Sequence, residues 1–270
     1  MTDKRISRKR AILRRNLLMA CCISVLAAVT AVVVFVCMLI GKGVSSHEID
    51  SSSVQSNTSS QQKPARPQFV ERGNYKLDAE YTDLLLVNGN HPLAENHEGK
   101  LTTIEDKYRQ PGYNLNQMNE KAYPYFKAMC EAAWKDGVEL KACSPYRAYN
   151  IQQMLFNRQV NKWKANGMSN AEADKKAATI VARPGTSEHQ TGLAIDFVQA
   201  DPKFEQHPAF KWLLENAADY GFILRFPKDK EDITGVIYEA WHYRFVGIYE
   251  AQAIKESGLC LEEYLEQKEK

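Results

Sequence analysis

The sequence lacks charged side chains over one long stretch, residues 17–41. A helix rises about 1.5 Å per residue and the hydrocarbon core of a bilayer is about 30 Å thick, so this stretch is long enough to span it. No small-x-small cleavage pattern follows, and the apolar regions of cleaved signal peptides usually have only about 7–15 residues. The sequence therefore predicts an uncleaved transmembrane signal anchor over residues 17–41, with a cleaved signal peptide as the alternative.

Acidic side chains are nearly missing from the segment before the anchor, residues 1–16. Asp3 is the single acid there, against seven lysines and arginines. Such an excess of basic residues marks the cytoplasmic side of a span. We therefore expect a single-pass protein of the cell membrane, with residues 1–16 in the cytoplasm and the rest outside it. The net charge of +2 hides a mildly acidic remainder, which argues against nucleic acid as a partner.

Apolar residues are scarce in residues 42–69, where the stretch 51–62 is almost entirely Ser, Gln, Asn and Thr. Such a segment cannot bury a core and is typical of a flexible linker. The remaining part, residues 70–270, is long enough to form its own core. It contains no internal repeat and no coiled-coil heptad, and we expect it to be a single monomeric domain.

Hydrophobic periodicity predicts the secondary structure of this domain. Helical spacing favours helices over residues 120–135, 149–164, 170–181, 210–220 and 251–258. Apolar runs and alternation favour strands over residues 84–87, 138–143, 193–198, 222–226 and 236–246. Helices come early and strands late, so we predict an α+β fold with a central antiparallel sheet and flanking helices.

Cysteine is scarce outside the anchor, where only Cys130, Cys143 and Cys260 occur. An oxidising compartment would permit one disulfide among them, but the sequence does not select a pair. Three small buried thiols are the alternative.

Histidine is also scarce, yet two of the six occur in unusual surroundings. One lies in SEHQTGLAID, residues 187–196, and the other in EAWHYR, residues 239–244. Catalytic zinc typically takes three protein ligands and keeps a fourth position open. His189, Asp196 and His242 match that number, and Asp196 in an apolar strand needs a partner or a metal. The sequence therefore makes these three residues candidate zinc ligands.

These two stretches resemble the signature of the VanY-type D-alanyl-D-alanine carboxypeptidases, which belong to a wider group of zinc peptidases that includes lysostaphin-like enzymes and the hedgehog fold. The resemblance runs from about residue 84 to residue 246. Its other elements are Val87-Asn88 with His91-Pro92, Ser144-Pro145-Tyr146-Arg147, Pro184-Gly185-Thr186, Tyr220-Gly221-Phe222 and Ile233-Thr234-Gly235.

The resemblance implies a role for several residues. The zinc ligands are again His189, Asp196 and His242, and the cofactor is one Zn²⁺. Glu239 matches the base that accepts a proton from water. Arg147 matches an arginine that contacts the scissile carbonyl oxygen or a substrate carboxylate, so it is expected to act in catalysis as well as in substrate binding. Ser187 and Gln152 match residues that contact the substrate. Apart from the resemblance, Tyr146 is expected either to line the substrate cleft or to pack.

Two positions depart from the family pattern. Ala240 replaces the usual proline after Glu239, which frees a dihedral angle, and Pro145 replaces a glycine before Tyr146. In a regular strand, Glu239 and His242 would also point to opposite faces, because successive side chains alternate. If both serve one metal site, the strand must be irregular near Glu239.

The implied function is removal of the terminal D-alanine from peptidoglycan stem peptides. An L,D-carboxypeptidase or a cell-wall endopeptidase with the same site is an alternative. A non-catalytic wall-binding domain is an alternative of another class, because a fold does not by itself imply an activity.

Overall fold

The computed structural model describes residues 66–94, 97 and 99–270. The predicted cytoplasmic segment, the predicted anchor and most of the predicted linker lie outside these residues. Within the described part, no helix is both long and apolar enough to cross a bilayer. The described residues belong to one compact unit.

This unit combines helices with three small sheets. The strands are β1 (Phe69–Arg72), β2 (Tyr75–Asp78), β3 (Leu101–Thr103), β4 (Gln117–Asn119), β5 (Ala142–Ser144), β6 (Ala194–Phe197), β7 (Phe222–Leu224) and β8 (His242–Phe245). The α-helices are α1 (Tyr123–Lys135), α2 (Tyr149–Ala165), α3 (Asn170–Ala178), α4 (Pro208–Asn216), α5 (Glu231–Thr234), α6 (Ile248–Ser257) and α7 (Leu261–Lys268). Short 3-10 helices cover Asp106–Tyr108, Glu188–Thr191, Pro202–Gln206 and Ala217–Tyr220.

The central sheet has four strands in the order β5-β6-β8-β7, and every neighbouring pair is antiparallel. The predicted mixed fold with an antiparallel sheet is therefore confirmed. Strands β1 with β2 and β3 with β4 form two separate antiparallel pairs. These two pairs were not predicted, because their strands have only three or four residues each, too few to define a period.

The two faces of the central sheet have different chemistry. Ile195, Phe197, Tyr243 and Phe245 are buried in the hydrophobic core, where helix α1 also contributes buried side chains. Because side chains alternate along a strand, Asp196 and His242 point to the opposite face. One face of the sheet therefore packs against the hydrophobic core, and the other face carries the polar side chains of Asp196 and His242.

Helix α1 illustrates how local sequence sets an element. A proline occupies its first turn, where a missing N–H costs nothing. The helix ends at Asp136, and Gly137 follows with φ +75°, which suits a glycine. Its buried face includes Phe126 and Met129, so helical spacing and burial agree.

Three of the predicted strands are wrong in whole or by more than two residues. Of the strand predicted over residues 138–143, only the last two residues belong to β5. Residues 84–87 form no strand, although the turn predicted after them is present as a bridge between Asn88 and His91. Residues 236–241 are irregular, and β8 begins only at His242. This confirms the irregularity predicted near Glu239. Helix α7 was not predicted.

The cysteine alternatives are also decided for the described residues. Cys130, Cys143 and Cys260 are all buried free thiols. Burial raises the pKa of Cys143 above its usual range, so the thiol is protonated and unreactive. These cysteines therefore pack as small apolar side chains.

Candidate metal centre and active site

The three predicted metal ligands meet on the polar face of the central sheet. Asp196 on β6 lies directly opposite His242 on β8 in the antiparallel register. Opposite residues of an antiparallel pair place their side chains on the same face and close together. His189 reaches the same point from the 3-10 helix Glu188–Thr191, which precedes β6. The donor atoms of the three residues lie within 4.8 Å of one another.

Gly192 makes the turn that joins His189 to the strand carrying Asp196. It has φ +72°, a left-handed conformation that glycine adopts without strain. A Cβ atom there would lie 2.6 Å from the backbone nitrogen of Asn119. That same nitrogen donates a hydrogen bond to the Gly192 carbonyl at 3.0 Å. Only glycine fits this contact between the ligand segment and strand β4.

The donor set fits a tetrahedral metal ion. Metal–ligand distances of about 2.0–2.1 Å in a tetrahedral zinc site place neighbouring donor atoms about 3.3 Å apart. Asp196 Oδ1 lies 3.4 Å from His189 Nε2 and 3.1 Å from His242 Nδ1. His189 Nε2 and Asp196 Oδ1 are buried, with no hydrogen-bond partner among the described residues. Buried polar atoms are rarely left so, and a cation between them would satisfy both.

The protonation of the ligands also suits a metal. His189 Nδ1 lies 2.8 Å from the Pro145 carbonyl oxygen. A carbonyl can only accept, so Nδ1 carries the proton and Nε2 keeps its lone pair. Burial and the positive charge of Arg147 lower the pKa of His189 to about 4, so the ring is neutral. Burial alone would raise the pKa of Asp196, but His189 and His242 hold it well below its usual range.

His242 behaves differently from His189. Burial lowers its pKa, but the neighbouring carboxylates of Asp196, Glu188 and Glu239 outweigh burial and raise the pKa to about 9. In the absence of a metal, this ring is therefore protonated at neutral pH. A metal ion must displace a proton to bind it.

Glu239 lies beside the ligands, just before β8. Its Oε2 is 3.6 Å from His242 Nδ1, and the residue is 8% exposed. Its backbone N–H donates to the Phe226 carbonyl, and its carbonyl accepts from the His242 N–H. Glu239 is therefore fixed on both sides, although Ala240 replaces the family's proline.

Burial raises the pKa of Glu239 to about 8; His242 and Arg147 oppose this rise, and Asp196 adds to it. A carboxyl with a pKa near neutrality can both accept and donate a proton under working conditions. A divalent cation held by the three ligands would lower this pKa and favour the carboxylate.

Arg147 also lies beside the ligand cluster, next to Asp196. One Nη donates to Gln152 Oε1 at 2.9 Å, and the other is 3.7 Å from Asp196 Oδ2. Gln152 in turn donates to the Ala182 carbonyl at 2.7 Å, so both ends of its amide are occupied. Gln152 therefore orients Arg147, and because it also lines the cleft above the ligands, its predicted contact with substrate stays a prediction.

A cleft of about 410 Å³ opens over these residues, a volume within the range of ligand-binding sites. Its lining includes Arg147, Gln152, Ser187, Glu239 and His242, together with residues of the segments 87–90, 178–183 and 232–236. Tyr146 is half-buried and is not among the lining residues in the described part of the chain. The predicted contact of Tyr146 with substrate stays a prediction.

Sequence analysis gave no role to Glu188, although it lies directly before a ligand. Glu188 is 3% exposed and contacts Arg225 and Arg244, which are both 0% exposed. The detectable signal was an arginine in each of two apolar strands, FILRF and HYRFV. Arginine is almost never fully buried unless it is paired, so each arginine pointed to a buried acid.

Known proteins are similar to this chain over the segment that contains the site residues. Residues 115–248 match the family model described as VanY, D-alanyl-D-alanine carboxypeptidase. A D-alanyl-D-alanine carboxypeptidase of Enterococcus faecalis is 39% identical over 70% of this chain and 67% of its own length.

Two solved structures are similar over the described domain. One is a mutant of the D,D-pentapeptidase VanY from a VanB-type vancomycin resistance cassette, in complex with Zn(II). It is 41% identical, with a TM-score of 0.59 over 67% of this chain and 98% of that one. The other is the LD-carboxypeptidase LdcB, which is 37% identical, with a TM-score of 0.59 over 67% of this chain and 84% of that one. With these matches added to the ligand geometry, the chain belongs to the VanY family of D-alanyl-D-alanine carboxypeptidases.

Proposed function

We propose that this protein is a zinc-dependent D-alanyl-D-alanine carboxypeptidase that removes the terminal D-alanine from peptidoglycan stem peptides. The observation that carries the proposal is the buried cluster of His189, Asp196 and His242. Glu239 lies beside His242, Arg147 lies beside Asp196, and both line the cleft. The similar protein from Enterococcus faecalis has the same activity in its name. Hydrolysis of a peptide bond needs an activated water, a proton carrier and positive charge near the carbonyl, and this cluster has a candidate for each.

The metal in this proposal is zinc, which the similar VanY structure contains. His189 Nε2, Asp196 Oδ1 and His242 Nδ1 would hold it, because these are the atoms that face one another. When bound, zinc supplies Lewis acidity that lowers the pKa of coordinated water to about 7.

Glu239 is the proton carrier. Its carboxylate accepts a proton from the attacking water as the oxygen adds to the scissile carbonyl carbon. It then delivers that proton to the amide nitrogen, so that the C–N bond breaks and D-alanine leaves as an amine. General acid–base catalysis of this kind typically contributes about 10²–10⁴-fold to the rate.

Arg147 supplies positive charge within the cleft. Its guanidinium can pair with a carboxylate through two parallel hydrogen bonds, which suits a peptide C-terminus. Its Nε is buried and has no hydrogen-bond partner within the described domain, so the side chain retains a donor. Ser187 lies in the same cleft, and its hydroxyl would contact the terminal carboxylate beside Arg147.

The experiment uses the full-length protein in detergent with stem pentapeptide and stem tetrapeptide as separate substrates. Release of D-alanine from the pentapeptide, lost with a zinc chelator and restored by added zinc, is the expected result. Release from the tetrapeptide alone would instead establish the L,D-carboxypeptidase activity named for the similar LdcB.

Two further outcomes would contradict the proposal. Cleavage of cross-linked dimers without release of D-alanine would indicate an endopeptidase. Zinc binding without hydrolysis of any of these substrates would indicate a non-catalytic wall-binding domain.

We also propose that residues 17–41 anchor the protein in the cell membrane, with the catalytic domain outside the cytoplasm. The uncharged run and the basic residues before it support this proposal. A linker of this length has a root-mean-square reach of roughly 30 Å, which would keep the domain near the membrane. We expect the protein to stay in membranes after alkaline carbonate washing and to be digested by protease added to spheroplasts. Release by the wash, or protection from the protease, would contradict this arrangement.

A further inference from the structure

A buried ion cluster lies behind His242, on the side away from Glu239. It consists of Glu188, Arg225, Arg244 and Glu262, and none of the proposed chemical steps uses it. Glu188 Oε1 lies 2.7 Å from Arg225 Nε and 3.1 Å from Arg244 Nη1. Arg225 also forms a two-point pair with Glu262 on helix α7, at 2.6 Å and 2.8 Å. The two carboxylates balance the two guanidinium groups, so the cluster is neutral.

The second oxygen of Glu188 has a different neighbour. Glu188 Oε2 lies 3.6 Å from His242 Nε2. Both atoms are buried, and neither has a hydrogen-bond partner anywhere in the part of the chain that the structure describes. The other ring nitrogen of His242, Nδ1, faces Asp196 and Glu239. The ring therefore lies between the proposed metal position on one side and a fixed carboxylate on the other.

We propose that Glu188 is a positioning residue for the metal centre. Its carboxylate accepts a hydrogen bond from the Nε2–H of His242, which keeps the proton on Nε2 and leaves the Nδ1 lone pair free for zinc. The proposal rests on the proposed function insofar as the metal is zinc. Metal-binding histidines usually donate their second ring N–H to a carboxylate or a carbonyl, which fixes both tautomer and orientation. His189 uses a neutral carbonyl for this purpose, that of Pro145, whereas His242 uses an ionised side chain.

The ion cluster explains why the Glu188 carboxylate keeps its place. Both arginines hold Oε1, so the carboxylate cannot rotate without breaking two buried ion pairs. The Arg225 side chain is held in turn by Glu262. Oε2 is thereby left pointing at His242.

The test is the substitution Glu188→Gln, which keeps the shape of the side chain but replaces the hydrogen-bond acceptor facing His242 Nε2 with a donor. The two arginines can only donate, so they select the amide oxygen of the glutamine. The amide NH₂ must then face His242 Nε2, where it favours the tautomer with a lone pair on Nε2 and a proton on Nδ1. That tautomer cannot bind zinc through Nδ1.

Zinc affinity of the apo-protein is measured by competition with a chromogenic chelator, without any substrate. We expect the dissociation constant for zinc to rise about 10–100-fold in Glu188→Gln, the usual effect of losing such a carboxylate. The matched control is Glu262→Gln, which removes a charge from the same cluster but leaves the contact between Glu188 and His242. We expect it to lower the melting temperature and to leave the zinc dissociation constant within about threefold of the parent value. An unchanged constant in Glu188→Gln, or an equal rise in both variants, would overturn the proposal.

A second measurement needs no variant. Long-range ¹H–¹⁵N correlation spectra of the zinc-loaded parent protein report which nitrogen of His242 is protonated. We expect the proton on Nε2, and a proton on Nδ1 would refute the role of Glu188 even if Glu188→Gln failed to fold. Both measurements are independent of hydrolysis. If the parent protein binds zinc with an affinity that depends on Glu188 but releases no D-alanine, the proposed activity is disproved and this inference is left intact.

Discussion

Replacing Glu239 by glutamine is expected to lower kcat for D-alanine release by about 10²–10⁴-fold, the usual contribution of a general acid–base. Glutamine keeps the size of the side chain and can still hydrogen-bond, but it cannot accept the proton of the attacking water. Glu239 is not one of the three clustered ligands, so the variant should still bind one zinc ion per chain. Initial rates at saturating pentapeptide, with zinc content determined on the same sample, provide the measurement.

The control for this substitution is Glu215→Gln. Glu215 is an exposed glutamate of helix α4, and its side chain is 61% accessible to solvent. We expect its kcat to match that of the parent. A Glu239→Gln variant that kept more than about a tenth of the parent kcat while binding zinc would exclude Glu239 as the proton carrier.

Replacing Asp196 by asparagine should abolish both zinc binding and hydrolysis at micromolar zinc. Asp196 Oδ1 is the atom nearest to both histidine donors, at 3.4 Å and 3.1 Å, so its charge is central to the ligand set. Zinc at 100 times its dissociation constant should stabilise the parent protein by about 2.7 kcal/mol, because it binds only the folded state. Thermal unfolding with and without zinc should reveal this gain in the parent and none in Asp196→Asn.

A histidine outside the cluster provides the control for metal binding. His97 is exposed, and His97→Ala should keep both the zinc-dependent stabilisation and the activity. Stabilisation by zinc that persisted in Asp196→Asn would mean that the metal lies elsewhere.

Zinc binding should also depend on pH in a defined direction. The raised pKa of His242, about 9, means that the metal displaces a proton at neutral pH. The apparent affinity should therefore rise with pH, by about tenfold per unit for each proton released, until pH passes that pKa. A flat affinity between pH 6 and pH 8 would mean that His242 is already neutral in the apo-protein.

Much of the metal centre could be predicted from sequence because its residues lie in two short, ordered stretches. The pair of strands that carries Asp196 and His242 is apolar and alternating, so both the strands and the faces of their side chains were predictable. Even the irregularity before His242 followed from the requirement that Glu239 reach the same site. The family resemblance then added Glu239 and Arg147, which spacing alone would not have selected.

The supporting contacts could not be predicted in the same way. Arg225 and Glu262 are far apart in sequence, and no local pattern indicates that they pair. The hydrogen bond between Gln152 and Arg147 could not be predicted either, because it depends on the geometry of the loop before helix α2. Residues 84–87 form no strand, because Leu84 and Leu86 pack against a hydrophobic cluster while their backbone pairs with no neighbouring strand. Such tertiary contacts override local preference.

The loop of residues 145–147 joins two parts of the active site that are otherwise separate. His189 donates its ring N–H to the Pro145 carbonyl, and the backbone N–H of Arg147 donates to the His189 carbonyl at 3.1 Å. A metal ligand and the residue proposed to hold the substrate's carboxylate are therefore fixed to each other by two hydrogen bonds. In the proposed reaction, this fixed distance between the metal and Arg147 would match the distance between the scissile carbonyl and the terminal carboxylate of the substrate. The bond that is cut would therefore be set by its distance from the peptide's C-terminus. A substrate extended by one residue, with its carboxylate bound at Arg147, would place a different bond at the metal.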